Sequence, residues 1–354
     1  MVVSTCGFGS TGSSAISDYL MECENVQVMD KIEFTIVPNV DGLVDLEYHL
    51  MKQHRRQSTS ITAIQRFQQL VSASAKGWNR RTGIPIQDVI RYCDEFVDSI
   101  TQVNYCGLSP RIYKGGNRTI NRYVGNSIIL NRVIRPLEKK GVIKRNLNVY
   151  PFGVVRLSVR PDNFYTEAKR FLKRILKGMG ADFSKIIVLD QAFSGVYPQE
   201  CFPFFDDPYA VVVDRDPRDL YIFAREKLLS QGRFMPSDNV NDFIMYYRLL
   251  RDQQPYKNPN ERVLVMHFEE MIYDYENATN RIDQFLGVTN VRRKSVFRPE
   301  LSGANTNLIR RFPKYKNDIA VIEKELAEYL YPFEKYPEFT GSGEMFFGKS
   351  PLNK

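Results

Sequence analysis

The chain is poor in the residues that build metal sites and disulfide frameworks. Its 354 residues hold five cysteines, three histidines and one tryptophan, Trp78. The cysteines (Cys6, Cys23, Cys93, Cys106, Cys201) are odd in number and widely spaced, no CxxC pair occurs, and His49, His54 and His267 do not sit beside them. That excludes a zinc ribbon or a disulfide scaffold, and no metal is expected. No apolar run approaches the ~18 residues that a membrane-spanning helix needs. The start, Met-Val-Val-Ser-Thr-Cys-Gly, lacks the basic and apolar regions of a signal peptide. Together with reduced thiols, this reads as a cytoplasmic protein. With 43% hydrophobic and 25% charged residues, disorder and a coiled coil are excluded as well.

The charge present is unevenly placed. The net charge is +8. Between Arg111 and Arg145 stand ten basic residues (Arg111, Lys114, Arg118, Arg122, Arg132, Arg135, Lys139, Lys140, Lys144, Arg145) against one acid, Glu138. Such a stretch suits a polyanionic partner or is a solvated face. Tyr113 and Tyr123 are its only aromatics, too few for a base-stacking platform, which argues against nucleic acid.

Short Val- and Ile-rich runs alternate with amphipathic helical patterns. Expected strands are Val2 to Thr5, Val26 to Met29 with an extension toward Phe34, Val154 to Val159, Ile186 to Leu189, Ala210 to Asp214 and Val263 to Met266. Consecutive apolar positions fit a parallel sheet covered on both faces. Phe164 to Met179 and Ile319 to Leu330 carry helical stripes. The fold class is therefore α/β: a P-loop-like parallel sheet flanked by helices, one domain over residues 1–354. Residues 45–150 interrupt the alternation and read as a helical, basic insertion, with helices at Asp45 to Met51, Ser60 to Ala75 and Ile86 to Val103.

Two places have the chemistry of anion sites. The first strand runs into Gly7-Phe8-Gly9-Ser10-Thr11-Gly12-Ser13-Ser14 and then a helical segment. Glycines let the backbone approach a phosphate, and a helix start offers N–H groups and a favourable dipole. The spacing matches the nucleotide-binding pattern GxxxxGK followed by Ser or Thr, but Ser13 stands where the lysine belongs. The second place is Asp214-Arg215-Asp216-Pro217-Arg218-Asp219, at the carboxyl end of a buried strand. There a guanidinium faces the ligand crevice of an α/β sheet, or else pairs with its own acids while Asp216 or Asp219 caps the next helix.

With Phe268-Glu269-Glu270-Met271, Phe285-Leu286-Gly287 and Ser302-Gly303-Ala304-Asn305 ahead of Arg310-Arg311, these segments resemble, in order, the sulfotransferase superfamily. More loosely, Gly42 to Glu47 is similar to bacterial members linked to surface polysaccharides. The resemblance implies 3′-phosphoadenylyl sulfate (PAPS) as cofactor, held by Gly9, Ser10, Thr11, Gly12, Ser13 and Ser14 at one end and by Arg215, Arg310 and Arg311 at the other. It implies a carbohydrate acceptor, neutral or anionic, such as a capsule or lipopolysaccharide precursor. The chain departs from the family twice. Ser10 replaces a loop Lys or Arg, for which Lys31, Lys52, Arg55, Arg80 or Arg225 are the available substitutes, and Phe223 replaces a phosphate-binding serine. A hydroxyl acceptor needs a base. Candidates are Glu33 after the second strand, Asp190 at the end of Ile186 to Leu189, and His54 in the run from His49 to Arg56; His267 reads as packing. Two other readings stand beside this one: a P-loop kinase-like phosphotransferase and a non-catalytic polyanion-binding relative.

Overall fold

In the computed structural model, residues 1–53, 56–108, 125–143, 152–228, 234–252, 260–288 and 296–337 are described. Their strands are β1 (Val2–Gly7), β2 (Val26–Glu33), β3 (Val103–Leu108), β4 (Phe152–Leu157), β5 (Ile186–Asp190), β6 (Pro208–Asp214) and β7 (Val263–His267). Five of them form one sheet in the order β2-β5-β1-β6-β7, and every pairing in it is parallel. The two remaining strands form a separate antiparallel ribbon. The protein is thus an α/β structure, a parallel sheet flanked by helices, as its alternating pattern predicts.

The chain divides into two compact units, Met1–Pro38 with Gly180–Lys354, and Asn39–Met179. The first carries the parallel sheet. Its centre is β1, which pairs Val2 with Ile187 on one side and with Pro208 on the other. Every residue of Val2 to Cys6 is buried, the pattern of a strand covered on both faces. On one face the Ser13–Leu20 helix sets Ile16, Tyr19 and Leu20 against Val3, Val188, Val211 and Met266, joined by Ile282 and Leu286 of the Tyr275–Leu286 helix. A second cluster joins Leu220 and Phe223 of the Pro217–Glu226 helix to Phe243 and Tyr247 of the Val240–Arg251 helix, and to Ile319 and Ile322. Full burial of each such side chain contributes about 1.5–3 kcal/mol.

The second unit packs the helices Gln57–Thr82, Ile86–Ile100 and Phe164–Gly178. Phe67, Phe96 and Phe171 form their common aromatic core, with ring centroids 5.4–5.8 Å apart. Gly83, at φ 83°, ends the first of these helices in the left-handed conformation. The expected segment Val154 to Val159 does form a strand, shifted to Phe152–Leu157, but it pairs with β3 rather than joining the parallel sheet. Val154 is 58% exposed beside a fully buried Val155, the alternation of a ribbon with one wet face. The third expected helix stops at Ile100, where Thr101 turns extended, so that Val103 opens a strand.

Candidate anion-binding site

The β1 strand ends at the middle of the sheet, and the loop after it turns sharply. Gly9, Ser10 and Gly12 have φ of 84°, 55° and 94°. Ser10 is a non-glycine residue held in the left-handed region. Such successive turns aim backbone N–H groups into a concavity that suits an anion. The Phe8 N–H donates to Thr11 Oγ1 at 3.2 Å, so that threonine braces the loop. Ser13 is buried and receives Gln191 Nε2 at 2.9 Å, whereas Ser14 is exposed. No side chain caps the N-terminus of the Ser13–Leu20 helix, which leaves its first N–H groups for a ligand. The glycines are also needed for packing: a Cβ on Gly12 would lie 2.5 Å from the Phe268 ring, and one on Gly7 would lie 2.6 Å from the Val213 carbonyl oxygen. Gly12→Ala is accordingly expected to destabilise the protein by about 1–3 kcal/mol, measurable as a lower urea midpoint at an unchanged slope.

The Arg215 corner meets this loop. The side chain is 4% exposed. Its Nη1 donates to the Ser10 carbonyl at 3.2 Å, and its Nη2 donates to the Asn305 carbonyl at 2.6 Å. The guanidinium lies over the rings of Phe223 and Phe268. Phe223, which stands where the sequence resemblance implies a serine, thus packs against the cation, and Nε of Arg215 is buried without a hydrogen-bond partner. Desolvation lowers the Arg215 pKa, while Asp219, Glu269 and Asp216 oppose that shift. The same burial pushes Asp219 and Glu269 upward; Asp216 adds to the effect and Arg215 counters it.

Those acids hold the surroundings in place. Asp216 caps the Pro217–Glu226 helix by accepting from the Arg218 N–H, and it also binds the Arg218 guanidinium and the Tyr331 N–H. Asp219 accepts from the Asn307 and Leu308 N–H groups. Glu269 accepts from the Asp216 N–H. Arg215 and Asp219 therefore secure the segment that carries Arg310 and Arg311, both of which are exposed. Among the expected substitutes for the missing loop cation, Arg225 donates to the Ser237 carbonyl and lies over Tyr315. Lys52 and Glu47, both in the second unit, pair with one another. Arg55 lies outside the described residues, as does the side chain of Lys31.

Sequence reasoning missed the support beneath the loop. Arg251, fully buried, binds Asp214 with Nε–Oδ2 at 2.7 Å and a second contact from Nη2. Its guanidinium lies between the rings of Phe8 and Tyr247, 4.1 and 3.4 Å from their centroids. Because Asp214 ends β6 and Phe8 belongs to the loop, this pair locks strand end and loop together.

Of the three candidate bases, two stand together. Glu33 and Asp190 are paired in register at the carboxyl ends of β2 and β5. Asp190 is half-buried, and its Oδ1 has no hydrogen-bond partner. Burial raises its pKa to about 7, with the charges of Glu33 and Asp18 adding to the rise. Glu33 itself is exposed. Asp190 adjoins the loop through its successor Gln191, which is held at φ 54° and bonds Ser13. His54 lies outside the described residues. His267, at the end of β7, sits beside Tyr331 with Nδ1 3.8 Å from Glu269. Among the described residues, no group of three or more His, Cys, Asp or Glu is placed to hold a metal ion, and no helix is long and apolar enough to cross a membrane.

No family model matches this sequence, and no curated protein matches it. Among solved structures the chain is similar to a sulfotransferase from Mycobacterium avium. The alignment spans 98% of this chain and 77% of that one, at 13% identity and a TM-score of 0.37. That likeness is too loose to carry fold or chemistry from one chain to the other.

Proposed function

We propose that this protein is a sulfotransferase that binds PAPS and transfers its sulfuryl group to a carbohydrate hydroxyl, working in the reducing cytoplasm. One observation carries the reading: the Gly7-to-Ser14 loop and Arg215, 205 residues from Ser10 in sequence, meet at the carboxyl edge of the parallel sheet. This is where open α/β sheets bind their ligands. The residues present fit a doubly anionic nucleotide. The left-handed turns at Gly9, Ser10 and Gly12 and the uncapped helix start make a cradle for one anionic end, with Ser13 and Ser14 beside it. Arg215, Arg310 and Arg311 serve the other end. When bound, PAPS supplies the activated sulfuryl group. The chain's own part is to align the acceptor hydroxyl and to take its proton, and Asp190 is the carboxylate poised for this near neutral pH.

Two observations favour a second reading. Both Nη atoms of Arg215 are engaged by backbone carbonyls, and the loop carries no cation of its own. A non-catalytic relative that only recognises a polyanion would need no more. A kinase-like phosphotransferase is disfavoured by Ser13 in the lysine position. Thermal melting separates the three, since a ligand selective for the native state raises the midpoint. Adenosine 3′,5′-bisphosphate is expected to raise it, and ATP with magnesium is not. A rise with ATP and magnesium alone would favour phosphoryl transfer, and no rise with either nucleotide would favour the binding-only relative. Transfer of labelled sulfate from PAPS to a saccharide acceptor then tests turnover.

A further inference from the structure

The helical stretch of residues 125–139, in the second unit, leaves three branched aliphatics exposed. Ile128, Ile129 and Val133 are 46%, 48% and 51% exposed, and only Ile134 is buried. A helix of a globular domain ordinarily turns its aliphatic stripe to the core. Here Arg132, Arg135, Lys139 and Lys140 are exposed among those aliphatics. Arg132 directly precedes the exposed Val133 and lies four residues after Ile128, so cations and branched aliphatics share the exposed surface of this stretch. Glu138 is the single acid of residues 125–143.

We infer that this face docks on an anionic phospholipid bilayer. The charge complements acidic headgroups, and each basic side chain near such a surface contributes about 1 kcal/mol, or roughly fivefold in affinity. The aliphatics are what a purely electrostatic partner leaves unexplained, and they suit shallow insertion at the headgroup boundary. Residues 125–143 contain no aromatic ring. A nucleic acid would therefore find no stacking platform, and an acidic glycan would set its hydroxyls against bare isoleucine and valine. The inference does not depend on sulfuryl transfer, because it concerns a surface in the other unit and a partner of different chemistry.

The test is flotation of the full-length chain with vesicles of phosphatidylcholine alone or mixed with phosphatidylglycerol. Binding is expected only to the mixed vesicles, with partial loss at high salt. Arg132→Glu with Arg135→Glu should weaken it at least about tenfold. Ile129→Ser with Val133→Ser should also weaken it about tenfold while leaving the melting temperature unchanged, since both side chains lie at the surface. Wild-type protein that stays unbound to the mixed vesicles would overturn the inference. So would an aliphatic double variant that floats like wild type, particularly if both proteins are held equally by heparin or DNA.

Discussion

Replacing Arg215 with alanine is expected to abolish the bisphosphate-dependent rise in melting temperature and to cost about 3–5 kcal/mol of stability without ligand. The second effect follows from what the guanidinium touches. It ties the loop at Ser10 to the segment at Asn305, and its charge counters the cost of burying Asp219 and Glu269. Without it these carboxyls lose their compensating charge and the two carbonyls lose their donor. Arg215→Lys separates binding from folding. It keeps the charge but not the fork that spans two carbonyls, so it should fold with a smaller loss and still show little shift with the bisphosphate. Far-UV circular dichroism establishes that each variant is folded. A folded Arg215→Lys or Arg215→Ala protein with the wild-type shift would remove this residue from the nucleotide site.

Asp190→Asn should lower kcat/KM for sulfate transfer by about 10²–10⁴-fold while leaving the bisphosphate shift intact, the separation expected of a base that does not hold the nucleotide. The same substitution should raise the melting temperature at alkaline pH. The Asp190 pKa is raised by folding, to about 7. Its contribution to stability is therefore full below the ordinary carboxylate range and is lost as pH rises through about 7. Asparagine does not ionise, so the variant and the wild type should diverge as pH rises from the ordinary carboxylate range to about 7 and stay apart by a constant margin above it. Wild-type activity should climb across the same interval as the base loses its proton. Glu33→Gln removes one of the charges that raise Asp190 and should move this limb to lower pH. Undiminished turnover by Asp190→Asn would assign the proton transfer to another group.

Much of the scaffold was readable because it rests on local rules. The Val- and Ile-rich runs of the parallel sheet are continuous where both faces are covered, and the glycine turn follows the first of them. The convergence of that turn with Arg215 was expected from the resemblance, and the crevice rule for parallel sheets gives it a physical reason. What escaped depended on partners distant in the chain. Arg251 looks like one more cation at a helix end, and nothing about its spacing marks Asp214 as its mate across 37 residues. Glu269 lies within the Phe268-Glu269-Glu270-Met271 segment, but its role as acceptor for the Asp216 N–H comes from tertiary packing alone. A short apolar run does not name its neighbour, so the sequence pattern alone places the β4 segment with the main sheet. Its exposed Val154 and half-wet alternation become informative only once the Val103–Leu108 partner is known.

The central place of β1 has a consequence for how the molecule is made. Its hydrogen-bonding partners on both sides, β5 and β6, leave the ribosome only after the whole of residues 39–179. Until then this strand has neither neighbour, and the loop that follows it has no Val213 backbone to lean on. Sheet assembly therefore waits on distant contacts and should be slow, in a regime where folding speed falls with the separation of contacting residues. A chain stalled at that stage would display Val2 to Cys6 as an open, sticky ribbon, and holding that segment apart from other chains is the task such a topology sets for the cell.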